Sequence, residues 1–287
     1  MLHWLLSPQD PTVAKYVQCY WLIEKQPNAE SYAFPKLNPD PCTHLIISPP
    51  NQPYRYDFNG GASTGSGSHW LYPHQQTIAL DHTNPFVHLG IKFHTGALYS
   101  LPQFSQQTSR LEQSTLLDQV EDIAKDNGLD HLLNLDDELL TLARSNPKRC
   151  AKQLDKRLAP WLKQCIEDKH SELTRQALEH LDSKSISDLG AQLFCSQRTL
   201  ERSFQRVTGM TLKQCQSMNR LEAMLEYLYQ RDSGALDWVD VAFRFGFSDQ
   251  PHLIRYLKKQ LGLTPKAYEK ERGLTIDVYG GVTSNIN

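Results

Sequence analysis

One pattern occurs twice in the last hundred residues of this 287-residue chain, and any fold proposed for it must hold that pattern twice. Residues 195–215 read CSQRTLERSFQRVTGMTLKQC, and residues 246–268 read GFSDQPHLIRYLKKQLGLTPKAY. Aligning Leu200 with Leu253 pairs Arg202 with Arg255, Phe204 with Leu257, Arg206 with Lys259, Gly209 with Gly262, Thr211 with Thr264 and Lys213 with Lys266. Upstream, DLGAQLFCS aligns with DVAFRFGFS at an offset one residue shorter, which places a one-residue insertion near the start of the second unit's last helix.

Each unit carries two short apolar stripes at helical spacing: Ile186, Leu189 and Leu193 then Leu200, Phe204 and Val207; Trp238, Val241, Ala242 and Phe245 then Leu253, Leu257 and Leu261. Two short amphipathic helices joined by a tight turn make a helix-turn-helix. The opposite face of each second helix is basic. Arg198, Arg202 and Arg206 line the first, opposed only by Glu201, and Arg255, Lys258 and Lys259 line the other with no acid between Gln250 and Leu261. A merely solvated helix usually mixes signs, so these faces point to DNA. Residues 171–270 are also the only segment with a positive formal charge, in a chain whose net charge is −2. Between the units, residues 211–230 read as one helix with Leu212, Cys215, Met218, Leu221, Leu225 and Leu228 as its buried stripe. Its length of about 30 Å is close to one turn of B-DNA, ~34 Å, which allows the two units to enter successive major-groove segments.

These two stretches resemble the DNA-binding region of the AraC/XylS family of bacterial transcription regulators. The resemblance implies that the N-terminal turns of the recognition helices meet base edges: Gln197, Arg198, Glu201, Arg202 and Gln205 in the first unit, and Gln250, Pro251, His252 and Arg255 in the second. Arg can grip guanine, Gln can pair with adenine and Glu can accept from cytosine. Thr199, Ser203, Arg206, Thr211, Lys213, Lys258, Lys259, Thr264 and Lys266 are placed for phosphates, which set register and affinity. One departure stands out. The family usually has Gly in the first unit's turn, as Gly246 provides in the second, but Phe194 stands there. A bulky side chain where positive φ is favoured is either strained or forces another turn geometry.

Residues 1–107 differ in texture. Short apolar runs such as CYWLI, THLIIS and FVHLGIKF alternate with turn signals such as SPPNQP and NGGASTGSGS, which predicts a mostly β domain. In VHLGIKFH, Leu89, Ile91 and Phe93 fall on one face and His88, Gly90, Lys92 and His94 on the other, the pattern of a half-buried strand. Residues 108–170 read as a helical connector whose leucines, among them Leu132, Leu133, Leu135, Leu139, Leu140 and Leu142, call for helix-on-helix packing or a partner chain. Residues 171–270 form the DNA-binding domain and 271–287 a C-terminal tail. The fold class expected is therefore α+β: a cupin-like β-barrel domain, a helical connector and an all-α domain with two helix-turn-helix units. Segments FPKLNPDPCTHLIIS and LGIKFHTGALYSLPQF also resemble the β sensor-like domain attached to one subgroup of the family.

His44, His69, His74, His82, His88 and His94 crowd into that β segment. The HxH…E spacing of metal cupins is absent, and His88 and His94 are about 20 Å apart along an extended strand, too far to share an ion. Ordinary surface or hydrogen-bonded histidines are the expected reading, with a metal-dependent cupin-like enzyme as the alternative. No nucleophile–base–orienter set, phosphate loop or paired catalytic carboxylate appears, and no cofactor motif. The six cysteines form no CxxC pair, and the N-terminus does not resemble a signal peptide. The expectation is a cytoplasmic regulator, not an enzyme, whose partner is double-stranded DNA, with a small-molecule effector, a homodimer contact through residues 108–170 and RNA polymerase, if it activates, as further partners; no membrane partner is expected.

Overall fold

The computed structural model describes residues 2–27, 36–58, 60–102, 116–123, 137–229, 231 and 236–271. The N-terminal part opens with β1 (Leu2–Leu6), the single turn α1 (Pro11–Ala14) capped by Asp10, and β2 (Val17–Lys25). Then follow β3 (Lys36–Leu37), β4 (His44–Ile47), β5 (Pro53–Phe58), β6 (Gly61–Ser66), β7 (His69–Leu71), β8 (Ile78–Leu80), β9 (Phe86–Phe93) and β10 (Val120–Asp122). They build two antiparallel sheets, ordered β1-β2-β9-β4-β7-β10 and β3-β8-β5-β6. Trp21, Ile23, Ile46, Leu71 and Phe86 of the larger sheet share one core with Leu37, Tyr54, Tyr56, Ile78 and Leu80 of the smaller.

The helices α2 (Asp137–Ser145) and α3 (Pro147–Leu162) cover the other face of the larger sheet. Leu139, Leu140, Leu154 and Leu158 pack there with Tyr20, Leu22, Leu45, Leu89, Ile91 and Phe93. Trp4 Nε1 donates to Ala143 O at 2.9 Å, and Tyr20 donates its hydroxyl to the buried Asp155 at 2.8 Å. Two expectations change here. All eight residues of β9 are buried, because helices cover one face and the second sheet the other, so His88, Gly90 and Lys92 face the interior between the sheets and not solvent. And Leu139 and Leu140 are buried against the β domain rather than offered to a second chain; Leu132, Leu133 and Leu135 lie outside the described residues. The helical reading of 108–170 also fails at Val120–Asp122, which pairs with β7 as an edge strand.

The C-terminal part is all helix: α4 (Lys169–His180), α5 (Ile186–Gln192), α6 (Gln197–Thr208), α7 (Leu212–Tyr229), α8 (Trp238–Arg244), α9 (Gln250–Leu261) and α10 (Pro265–Glu271). It has two cores. Ala177, Leu181, Leu189, Leu200 and Phe204 pack with Leu212 and Cys215 from the start of α7, and Val241, Ala242, Leu253, Leu257 and Tyr268 pack with Leu221, Leu225 and Leu228 from its end. The predicted stripe of α7 is thus divided between the two units.

Gly90 tests the interior packing. A Cβ there would lie 1.9 Å from the Trp21 ring, so Gly90→Ala should destabilise the protein by about 1–3 kcal/mol, visible as a lowered thermal midpoint; an unchanged midpoint would contradict this contact.

Candidate nucleic-acid interface

The two units close their turns with matching hydrogen bonds. In the first, Phe194 N donates to Ala191 O at 3.2 Å and Cys195 N to Gly190 O at 2.9 Å; in the second, Gly246 N donates to Phe243 O at 3.1 Å and Phe247 N to Ala242 O at 2.8 Å. The residue in the left-handed region is Phe194 (φ 52°) in one and Gly246 (φ 74°) in the other. Phe194 therefore leaves the turn geometry unchanged and bears strain, which for a bulky residue is of order 1 kcal/mol or more. The inserted residue falls between Gly246 and the cap Asp249, so the second turn is longer but starts the same way.

Both recognition helices begin and end alike. Ser196 Oγ accepts from Thr199 N at 3.1 Å, and Asp249 Oδ1 accepts from His252 N at 2.6 Å; the polar side chain meets a backbone donor that the helix leaves open. Pro251 sits in the first turn of α9, where its missing N–H costs nothing. Gly209 and Gly262 end the helices at φ 74° and 70°.

Among the residues assigned to bases, Arg198, Glu201, Arg202, Gln205, Pro251, His252 and Arg255 are exposed, and Gln197 and Gln250 are half-buried. Gln197 Nε2 donates to Glu201 Oε1 at 2.9 Å. Of those assigned to phosphates, Lys213, Lys258, Lys259 and Lys266 are exposed. Three threonines are engaged at helix starts: Thr199 Oγ1 lies 2.8 Å from Ser196 Oγ, Thr211 Oγ1 accepts from Gln214 N, and Thr264 Oγ1 accepts from Ala267 N. Ser203 departs from expectation. It is buried, its hydroxyl 2.9 Å from His170 Nδ1 of α4, because α4 packs against the inner face of α6; in this arrangement it does not face a phosphate.

Residues 189–271 match the model of a helix-turn-helix domain of the AraC type. That segment is an AraC-type helix-turn-helix domain, and the chain is a DNA-binding transcription regulator. Residues 7–116 match a domain of unknown function, DUF6597. Solved structures similar to this chain include ToxT from Vibrio cholerae with unsaturated fatty acid bound, at 12% identity and a TM-score of 0.40 over 87% of this chain and 93% of that one. A second is the C-terminal domain of AraT, a response regulator from Geobacillus stearothermophilus, at 19% identity and a TM-score of 0.33 over 42% of this chain and 94% of that one. A third is the DNA-binding domain of AdpA in complex with a target DNA, at 29% identity and a TM-score of 0.30 over 37% of this chain and 96% of that one. None of the curated proteins matches the chain.

In this regulator the β domain rests on both units and on the helix between them. Arg206 Nε of α6 donates to Tyr99 Oη at 3.0 Å, and Tyr99 donates to Asp168 Oδ2 at 2.9 Å. Gln214 Nε2 of α7 donates to Gln75 Oε1 at 2.7 Å, and Thr77 Oγ1 donates to Gln260 O of α9 at 2.6 Å. The deepest contact is ionic. Lys92 Nζ, 2% exposed at its side chain, lies 3.0 Å from Asp40 Oδ2 and 3.3 Å from Glu222 Oε1 of α7. Asp40 also accepts from Cys42 N at 2.8 Å and from His44 Nε2 at 3.0 Å. Trp21 Nε1 donates to His44 Nδ1 at 3.1 Å, so the neutral His44 carries its proton on Nε2. Burial alone would raise the Asp40 carboxyl, but Lys92 and His44 outweigh it and hold it well below the ordinary range. Burial pushes Glu222 up, against the pull of Lys92. No sequence signal joins Asp40, Lys92 and Glu222, which come from three distant segments.

His44, His69, His74 and His88 of the β domain are hydrogen-bonded and interior. His69 Nδ1 donates to Gly67 O at 2.8 Å and Nε2 accepts from Tyr56 at 2.8 Å; His88 Nδ1 lies 2.7 Å from Ser48 Oγ, and His74 Nε2 donates to Asn38 O at 2.7 Å. His88 is buried while His94 is exposed and reaches Ala14 O, so these two do not converge. Among the described residues no group of three or more His, Cys, Asp or Glu is arranged to hold a metal ion, and no helix is long and apolar enough to cross a membrane.

Burial lowers His44, His69, His74, His82 and His88, taking His69 to about 4 and His82 to about 3. A histidine held neutral in the fold takes its proton first in the unfolded chain. Stability is therefore fully present above pH ~6.5 and falls as pH drops from there toward 4, each such histidine adding up to about 1.4 kcal/mol per pH unit. Asp40 loses its contribution lower still, and Glu222, with its raised carboxyl, opposes the trend. Urea midpoints should hold from pH 7.5 to about 6.5 and fall from there to pH 4.5; a profile flat down to pH 4.5 would mean that these rings are solvated.

Proposed function

We propose that this regulator reads DNA sequence through both units at once, α6 and α9 entering successive major-groove segments on one face of a duplex. The observation that supports it is the matched pair: two helices with the same turn, cap and terminus, each with a basic exposed face, mounted on one continuous α7 of 18 residues. At ~1.5 Å per residue that helix is about 27 Å long, close to the ~34 Å repeat of B-DNA. In this reading Gln197, Arg198, Glu201, Arg202, Gln205, Gln250, Pro251, His252 and Arg255 meet base edges. Arg206, Lys213, Lys258, Lys259 and Lys266 neutralise phosphates, and Thr199, Thr211 and Thr264 stand at helix starts beside them.

We also infer that the β domain is the place of control. A groove of about 420 Å³ runs between it and the DNA-binding part, lined by Gln18, Cys42, His94, Asp182, Asn219 and Glu222, within the size small-molecule sites usually take. The space inside the β sandwich beneath Glu222 and Leu225 is only about 20 Å³, room for one water. A small-molecule effector therefore fits the groove and not the sandwich. RNA polymerase is the partner of an activator, and a second copy of the chain the partner in a dimer; the cytoplasm is where a regulator of this class acts.

Selection of bound sequences from a random duplex library with the full-length protein should enrich a site with two elements about one helical turn apart. Against that site Arg202→Ala and Arg255→Ala should each cost ~1–3 kcal/mol and relax preference at one element only, whereas Lys258→Ala should weaken all duplexes alike and lower the salt slope by about 1. Enrichment of a single element, insensitive to one of the two arginines, would leave one unit without a reading role.

A further inference from the structure

Phe194 is 98% exposed and holds a φ of 52°. The other large apolar side chains exposed among the described residues, Ile166, Val239 and Phe243, have no such backbone. The second unit makes the same turn, with the same two hydrogen bonds, using Gly246. The turn thus has no need of an aromatic ring, and among the described residues nothing offsets either the strain or the exposure of that ring to water. Strained, over-exposed residues of this kind mark contacts made with something else.

Position selects the partner. Phe194 precedes the cap Ser196 by two residues, Gln197 by three and Arg198 by four. Three residues of chain reach at most about 11 Å, less than the ~12 Å width of the major groove. Wherever Gln197 meets a base edge, Phe194 stands within one groove width of it. The apolar surfaces DNA presents there are the thymine C5-methyl inside the groove and the deoxyribose carbons on its wall.

We propose that the ring of Phe194 packs on the apolar surface of the duplex at the entrance of α6, giving the first unit a DNA contact that the second, with Gly246, lacks. This rests on the reading of bases by α6. It makes the two elements of the site chemically unequal and so orients the protein on the duplex.

The test uses the full-length protein and the duplex enriched by selection, with Phe194→Gly and Phe194→Ala. Glycine removes the ring and the strain; alanine removes the ring and keeps the positive φ. Both should bind about tenfold more weakly, with the loss confined to duplexes that keep the first element intact. Only the glycine variant should also gain thermal stability, by about 2–4 °C. Replacing single thymines by deoxyuridine separates the two DNA surfaces: a loss in wild type that vanishes in Phe194→Ala assigns the contact to the methyl, and a silent scan with the tenfold loss intact assigns it to the sugar wall. If both variants bind as tightly as wild type while Arg202→Ala loses the site, the contact with Phe194 is wrong and the reading by α6 stands. If wild type enriches no first element, the reading fails and this contact with it.

Discussion

A lysine ammonium cannot sit inside a β sandwich without a counter-charge, and most of how this molecule is put together follows from where the counter-charges of Lys92 come from. Asp40 supplies one from within the β domain, oriented by a backbone N–H and by His44. Glu222 supplies the other from α7. Desolvating each ion costs several kcal/mol, and a buried pair repays it only with good geometry and further hydrogen bonds. Asp40 has these, and Glu222, at 36% exposure of its side chain, keeps part of its hydration. The seat of α7 on the β domain is therefore set by charge as well as by shape.

That seat matters because α7 is not a passive spacer. Its first turns belong to the core of one unit and its last turns to the core of the other, so its position sets the position of both recognition helices. The β domain's hydrogen bonds to the recognition helices themselves fall at the C-terminal ends of α6 and α9, through Arg206 and Gln260. The N-terminal turns, which carry Arg198, Arg202, His252 and Arg255, are left in solvent. The β domain holds the two units by the ends farther from the proposed base contacts.

The C-terminal domain was legible because its signals are local. Apolar spacing, the basic faces and the paired Gly209 and Gly262 each act within a few residues, and repetition doubled them. Phe194 was legible as an anomaly, but whether it bent the turn or bore strain depended on backbone geometry that composition does not contain. The β domain was less open. Alternation in VHLGIKFH marks two faces, yet a strand covered on both sides can carry His88 and Lys92 inward when partners exist, and those partners come from Asp40 and Ser48, far away in sequence. Val120–Asp122 read as helix because a three-residue edge strand has no period of its own; its pairing with β7 decides it. Of the site residues, Ser203 was misplaced for the same reason: the face of α6 it occupies is decided by α4.

The same geometry limits how control could work. A molecule in the groove beside Glu222 that bound equally well whether or not α7 kept its seat would change nothing, however tightly it bound. Differential affinity requires a group whose interaction depends on that seat, and the groove offers one in the Glu222 carboxylate, which faces Lys92 on one side and the groove on the other. A ligand that competes with Lys92 for Glu222 loosens α7 from the β domain, and one that leaves the pair intact while bridging Asn219 or Asp182 to His94 tightens it. In either case both recognition helices respond together, since both cores share α7. Control would then appear as a change in affinity for the whole two-element site, with the spacing between the elements and the base preference of each kept.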